Sequence, residues 1–245
     1  MINIFKNIFS SAPQEPPLIK TDLHSHLIPG IDDGSKSMDE SIEMIEMFAA
    51  QGYTKLITTP HIMSHRYPNT STAIKEGLQA LQAELRVRNI AIEIEAASEY
   101  YLDETVMALV DKRDILTFGD NYMLFEMSYV QPLLMLEEML FEIKVAGYKP
   151  VLAHPERYIY MYEEFGKYER LKEKGVLMQV NIPSFGSHYS KSIQQMAKKL
   201  SEAGMIDFLG SDAHKTPHLK ALEHVKTQTV YSRIFEHNTI LNNTL

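Results

Sequence analysis

Apolar residues along this chain follow two alternating rhythms. From Leu18 onward a short strand-like apolar run gives way to a polar cluster and then to a stretch with helical spacing, and this unit repeats to the C-terminus. The first helix is the clearest. Ser37 and Glu40 stand at capping-box spacing, Ile42, Ile45, Phe48 and Ala49 share one face, and Gly52 ends it. A strand is predicted over 55–59, then a helical face of Ile74, Leu78, Leu81 and Leu85, then a half-buried strand over 91–97 where apolar and acidic residues alternate. Asp103 is placed to cap a short helix. A strand over 122–125, a helix from about Pro132 to Gly147 and a strand over 149–152 come next. The remaining units are a helix near 163–174, a strand over 176–180, a helix from about 189 to 203, a strand over 207–209 and two C-terminal helical segments. About seven strands alternating with helices predict a parallel α/β architecture with helices outside, one strand short of an eight-stranded barrel. No linker long enough to separate domains interrupts residues 18–245. Residues 1–17 differ. Ile4, Phe5, Ile8 and Phe9 at helical spacing, followed by SAPQEPP, predict a short amphipathic helix on a tether, packed on its own domain or against a partner or membrane surface.

The residues just past each strand carry the chemistry. After the first come His24, His26 and Asp32-Asp33-Gly34; after the second His61; after the third Glu99; after the fourth Glu126; after the fifth His154; after the seventh Asp212 and His214. The carboxyl ends of barrel strands converge on one face, so these residues are predicted to form one site. Histidines and carboxylates without thiolates suit manganese, iron or zinc, whereas calcium or magnesium favours oxygen alone. His24 and His26, two apart on an extended strand, point to the same side and can grip one ion. Nine candidate ligands exceed the needs of one ion. Two or three ions sharing carboxylates would use them, and such ions acidify a shared water, which implies metal-assisted hydrolysis.

Composition narrows the reaction further. With 24 Lys plus Arg against 32 Asp plus Glu, the net charge is -8, which disfavours a nucleic-acid partner. There is no cysteine, which removes disulfides, thiolate metal sites and thiolate nucleophiles. No apolar run is long enough for a transmembrane segment and the first residues lack the marks of a signal peptide, so a cytoplasmic protein is expected. Four ligand carboxylates under three divalent ions would leave the site net positive, so it should attract an anion, and a phosphate monoester fits. Arg157, in H-P-E-R-Y, can offer its guanidinium fork to a phosphate oxygen; Arg66 and Lys215 are weaker candidates, and Tyr158, Tyr160 and Tyr162 could line a pocket.

With D-L-H-S-H-L-I-P-G-I-D-D-G, T-T-P-H, A-S-E-Y-Y, F-E-M-S, L-A-H-P-E-R-Y and S-D-A-H in this order, the chain resembles the polymerase-and-histidinol-phosphatase (PHP) superfamily. Within it the likeness is to the manganese-dependent bacterial protein-tyrosine phosphatases of capsule and exopolysaccharide synthesis. The resemblance implies a distorted (β/α)7 TIM-like barrel of the PHP type over 18–245. It also implies a three-metal site of His24, His26, Asp33, His61, Glu99, Glu126, His154, Asp212 and His214, with Glu99 bridging metals and Arg157 on the phosphate. A second phosphate-binding arginine, common before a P-P-H turn, is replaced here by Lys215-Thr216-Pro217-His218, where Lys215 offers a point charge without the fork. The implied substrate is a phosphotyrosine protein, the tyrosine-rich tail of a capsule tyrosine autokinase. The alternative is a small-molecule phosphomonoesterase such as one for histidinol phosphate.

Overall fold

The computed structural model describes residues 18–245; the helix expected within 1–17 lies outside the described residues. In chain order the elements are β1 (Thr21–Ser25), α1 (Met38–Ala50), β2 (Lys55–Thr58), β3 (His61–Ile62), α2 (Ser71–Val87), β4 (Glu93–Ala96), β5 (Glu99–Tyr101) and α3 (Glu104–Asp111). They continue as β6 (Tyr122–Glu126), α4 (Leu136–Val145), β7 (Lys149–Ala153), α5 (Gly166–Glu173), β8 (Leu177–Asn181), α6 (Lys191–Glu202), β9 (Phe208–Ala213), α7 (Thr216–Lys226) and α8 (Thr229–His237). The nine strands form one sheet in the order β3-β5-β6-β7-β8-β9-β1-β2-β4, every pair parallel.

That order hides a closed ring. Only Thr59 and Pro60 separate β2 from β3, and only Ala97 and Ser98 separate β4 from β5. The ladder crosses both breaks, since Ala97 N donates to Thr58 O at 2.9 Å and Glu99 N to Pro60 O at 3.2 Å. Counted as chain passes the strands number seven, and each pass pairs with two neighbours, as the pattern of the sequence predicts. Pro60 has no N–H to give the ladder, which accounts for the interruption between β2 and β3.

Period-two alternation divides each strand between two cores. Leu56, Met123, Phe125 and Leu152 face the helices, whereas Leu23, Ile57, Leu124 and Val151 pack inside the barrel with Phe118 and Phe208. The interior positions two or four residues further along are polar: Ile57 leads to His61, Ala97 to Glu99 and Leu124 to Glu126. The inside of the barrel is therefore apolar toward the amino ends of the strands and chemical toward their carboxyl ends. Gly210 permits the closure, because a Cβ there would lie 2.2 Å from Leu23 O.

Helix ends are set by the side chains that cap them. Ser37 accepts from Glu40 N, Asp103 from Val106 N and Ser190 from Ile193 N. Glu40 returns its carboxylate to Lys36 N at 2.8 Å, so the reciprocal half of the box lies one residue early. The helix expected from Pro132 starts instead at Leu136, with no side-chain cap, and residues 131–135 form a loop.

Candidate metal centre

The carboxyl ends of the strands bring all nine expected ligands together. Their donor atoms form four overlapping groups, each lying within 4.8 Å: His26, Asp33, His61 and His214; His24, Glu99 and His154; His24, His26 and Asp212; His61, Glu99 and Glu126. Glu99 is the hub. Its Oε2 lies 3.0 Å from His24 Nε2 and 3.3 Å from His61 Nδ1, and its Oε1 lies 2.8 Å from His154 Nε2. Asp212 Oδ1 stands 3.4 Å from His24 Nε2 and from His214 Nδ1, and Asp33 Oδ1 stands 3.5 Å from His61 Nε2 and 3.4 Å from His214 Nε2. Two ligands each ~2.1 Å from one ion stand about 3–3.5 Å apart, which the contacts at 3.3–3.5 Å match, while the two shorter contacts of Glu99 are hydrogen bonds.

The unmet polar atoms agree. His26 Nε2, His61 Nδ1 and Glu126 Oε1 are buried without a hydrogen-bond partner. Leaving such atoms unpaired costs about 1–3 kcal/mol each, and a cation relieves nitrogen lone pairs and carboxylate oxygens alike.

Electrostatics point the same way. For His24, burial works downward, but the Glu99 and Asp212 carboxylates outweigh it and bring the pKa up to about 9. Burial holds Glu126 well above the usual carboxylate range, and the neighbouring Glu99 charge adds to it. His154, pushed down to about 4 by burial, is neutral at pH 7 and keeps a lone pair to give. Three buried carboxylates, Glu99, Glu126 and Asp212, crowd a space that a positive charge must balance.

The backbone is bent to aim these side chains. His24, His154 and Asp212 have positive φ values of 82°, 35° and 49°, a strained region for residues with a Cβ and one that collects at functional sites. Gly34 lets the D-D-G turn lie against the first histidine pair, since a Cβ there would sit 2.3 Å from His26 O.

A further layer fixes the histidines. His26 Nδ1 donates to Asp32 Oδ2 at 2.8 Å, and Asp32 also accepts from Gly34 N and His61 N. His24 Nδ1 donates to Gln179 Oε1 at 2.7 Å, Gln179 Nε2 donates to Asn181 Oδ1, and Asn181 Nδ2 donates to Asp212 Oδ2 at 2.8 Å. Each bond leaves the opposite imidazole nitrogen facing the centre. Sequence reasoning missed these positioning roles. For Gln179 and Asn181 the signal was present as two polar residues on alternate positions of the otherwise apolar strand β8.

Above the cluster is a cavity of about 380 Å³, lined among others by Arg66, Tyr67, Tyr129 and Arg157. Arg157 Nη1 donates to Asp212 Oδ2 at 3.0 Å, and its guanidinium lies 4.6 Å from the Tyr129 ring centre and 5.5 Å from that of Tyr189. The Tyr129 hydroxyl donates to Glu126 Oε2 at 3.0 Å. Arg66 is exposed and lies on the rim over Tyr67. Lys215, exposed at the start of α7, does not line the cavity. Tyr158 is no pocket wall either: it is fully buried, accepting from Met127 N and donating to Ala153 O.

Fold and donor set together define a parallel barrel with a candidate centre for divalent cations at its carboxyl mouth. The chain belongs to the capsular polysaccharide synthesis family CpsB/CapC, whose profile matches residues 20–240. It is 31% identical over 194 residues to the tyrosine-protein phosphatase YwqE of Bacillus subtilis, spanning 79% of this chain and 76% of that protein. It is 27% identical over 205 residues to the tyrosine-protein phosphatase CpsB of Streptococcus pneumoniae, spanning 79% and 82%. A crystal structure from work on those two proteins, described as unique metal-dependent tyrosine phosphatases, superposes with a TM-score of 0.77 at 27% identity, covering 90% of this chain and 96% of that one. No helix among the described residues is long and apolar enough to cross a membrane.

Proposed function

We propose that this chain is a metal-dependent tyrosine phosphatase acting on a phosphotyrosine protein, the tail of a capsule or exopolysaccharide tyrosine kinase, in the cytoplasm. The phosphatase domain is residues 18–245. The observation that carries the reading is the convergence of nine imidazole and carboxylate donors under a cavity with an arginine on its wall, in a chain of this family.

His24, His26, Asp33, His61, Glu99, Glu126, His154, Asp212 and His214 would hold two or three ions, manganese in this proposal, with Glu99 shared between them. Such ions, when bound, supply hydroxide from water near neutral pH and neutralise phosphoryl oxygens. The chain's own residues do the rest. Arg157, held by Asp212, Tyr129 and Tyr189, binds the non-bridging phosphoryl oxygens and steadies the charge that grows on them during in-line displacement. Arg66 on the rim is the second contact. The P–O bond to the ring breaks as the oxygen of water bonds to phosphorus. The phenolate leaves readily because its conjugate acid has a pKa of about 10, so no strong general acid is needed. Asp32, Gln179 and Asn181 keep the donors in register throughout.

Purified manganese-loaded protein should release phosphate from a phosphotyrosine peptide and leave histidinol phosphate nearly untouched. Turnover of histidinol phosphate alone would replace this reading with the small-molecule one.

A further inference from the structure

The loop between β6 and α4 carries an apolar surface that the reaction does not use. Val130 is 87% exposed and Leu134 95% exposed, and Met135 beside it is half-exposed. Single exposed apolar residues are ordinary, but three on one loop beside a catalytic cavity are a patch. Leu134 stands as a ridge between two hollows. One, of about 780 Å³, runs toward the 101–105 segment; the other, of about 340 Å³, runs toward α5. Both are floored by Met127 and walled by Pro132 and Leu133.

The larger hollow adjoins the cavity above the metal centre, since Tyr101, Met127 and Ser128 line both. The loop also begins two residues after Glu126, so the ridge is tied directly to a candidate ligand. A small phosphate ester would lie within the cavity, where it meets Val130 but neither Leu134 nor Met135. A polypeptide held by its phosphotyrosine must leave the cavity along the rim, and the shared residues open the way onto the ridge.

We infer that the 128–135 loop is a docking ridge for the phosphotyrosine polypeptide, and that the hollow beside Leu134 takes an apolar side chain close in sequence to the phosphotyrosine. This deepens the phosphatase reading and rests on it.

The test compares full-chain, manganese-loaded wild type with Leu134→Asp and Met135→Ser on three substrates: p-nitrophenyl phosphate, a phosphotyrosine peptide flanked by leucines and the same peptide flanked by serines. Wild type should favour the leucine peptide by about tenfold in kcat/KM, the scale of partly burying one such side chain. Leu134→Asp, at an exposed position that does not challenge folding, should erase that preference and leave p-nitrophenyl phosphate turnover unchanged, with Met135→Ser intermediate. Equal rates on the two peptides, or an equal loss on all three substrates, would overturn the inference while leaving the phosphatase reading intact. A Leu134-dependent dimer in sedimentation would overturn it in favour of a second copy on the ridge. Cleavage of p-nitrophenyl phosphate with neither peptide touched would overturn the phosphotyrosine reading itself.

Discussion

Arg157→Lys keeps a positive charge on the cavity wall and removes its shape. In the structure one guanidinium nitrogen is committed to Asp212 Oδ2 at 3.0 Å while the plane rests near Tyr129 and Tyr189, which leaves the other nitrogens for the cavity. A lysine can serve Asp212 or a phosphoryl oxygen as a point charge but cannot fork between them. A hydrogen bond to a charged group contributes about 1.5–3 kcal/mol, and ~1.4 kcal/mol is tenfold, so losing one arm should lower kcat/KM by roughly tenfold to a hundredfold. Asp212 keeps its bond from Asn181 Nδ2, so metal content should hold. The assay is steady-state phosphate release from a phosphotyrosine peptide, with metal per chain measured on the same samples. Unchanged kcat/KM would refute the phosphate role. A loss matched by falling metal content would show that Arg157 acts only through Asp212.

Other consequences are more local. Gly34→Ala places a Cβ 2.3 Å from His26 O, which only a backbone shift can relieve, so metal affinity read by titration should drop about tenfold to a hundredfold. Tyr158→Phe leaves Met127 N without its buried acceptor and should cost about 1–3 kcal/mol in urea unfolding, with aryl phosphate turnover nearly unchanged. Asp22 is lifted by burial to about 7 despite its bonds from Ser211, so its contribution to stability is full below the ordinary 3.8 and is lost as pH rises through 7. In chelated protein Asp22→Asn should flatten that decline, by at most roughly 4 kcal/mol between pH 4 and 8, and an identical pH profile in the variant would show that Asp22 is not its source.

The barrel was legible because six of the seven strands announce themselves twice, once by an apolar run and again by a candidate ligand at the carboxyl end, β8 being the exception. Leu124 leading to Glu126 is an example: period two puts both inside, and position along the barrel axis decides which is core and which is chemistry. The breaks at Thr59-Pro60 and Ala97-Ser98 were hidden, since a strand interrupted by two residues keeps its parity and reads as one run. Pro132 misled for a related reason: it fits a first helical turn, but Met135 offers no cap and the apolar 132–135 segment spreads over the surface instead. Candidate ligands could be read singly by type, whereas Asp32, Gln179 and Asn181 act through other side chains, and only the fold shows whom they touch. Lys215 is suggested by its place beside His214, yet the chain turns into α7 there and carries it away from the cavity.

The central claim is that the histidine and carboxylate nest at the barrel mouth holds the ions on which hydrolysis of phosphotyrosine depends. Metal per chain and phosphate release from a phosphotyrosine peptide should be followed together through chelation and re-addition of manganese. Activity that disappears with the metal and returns with two or three manganese ions per chain is the expected result. Undiminished turnover in protein stripped of metal would contradict the account.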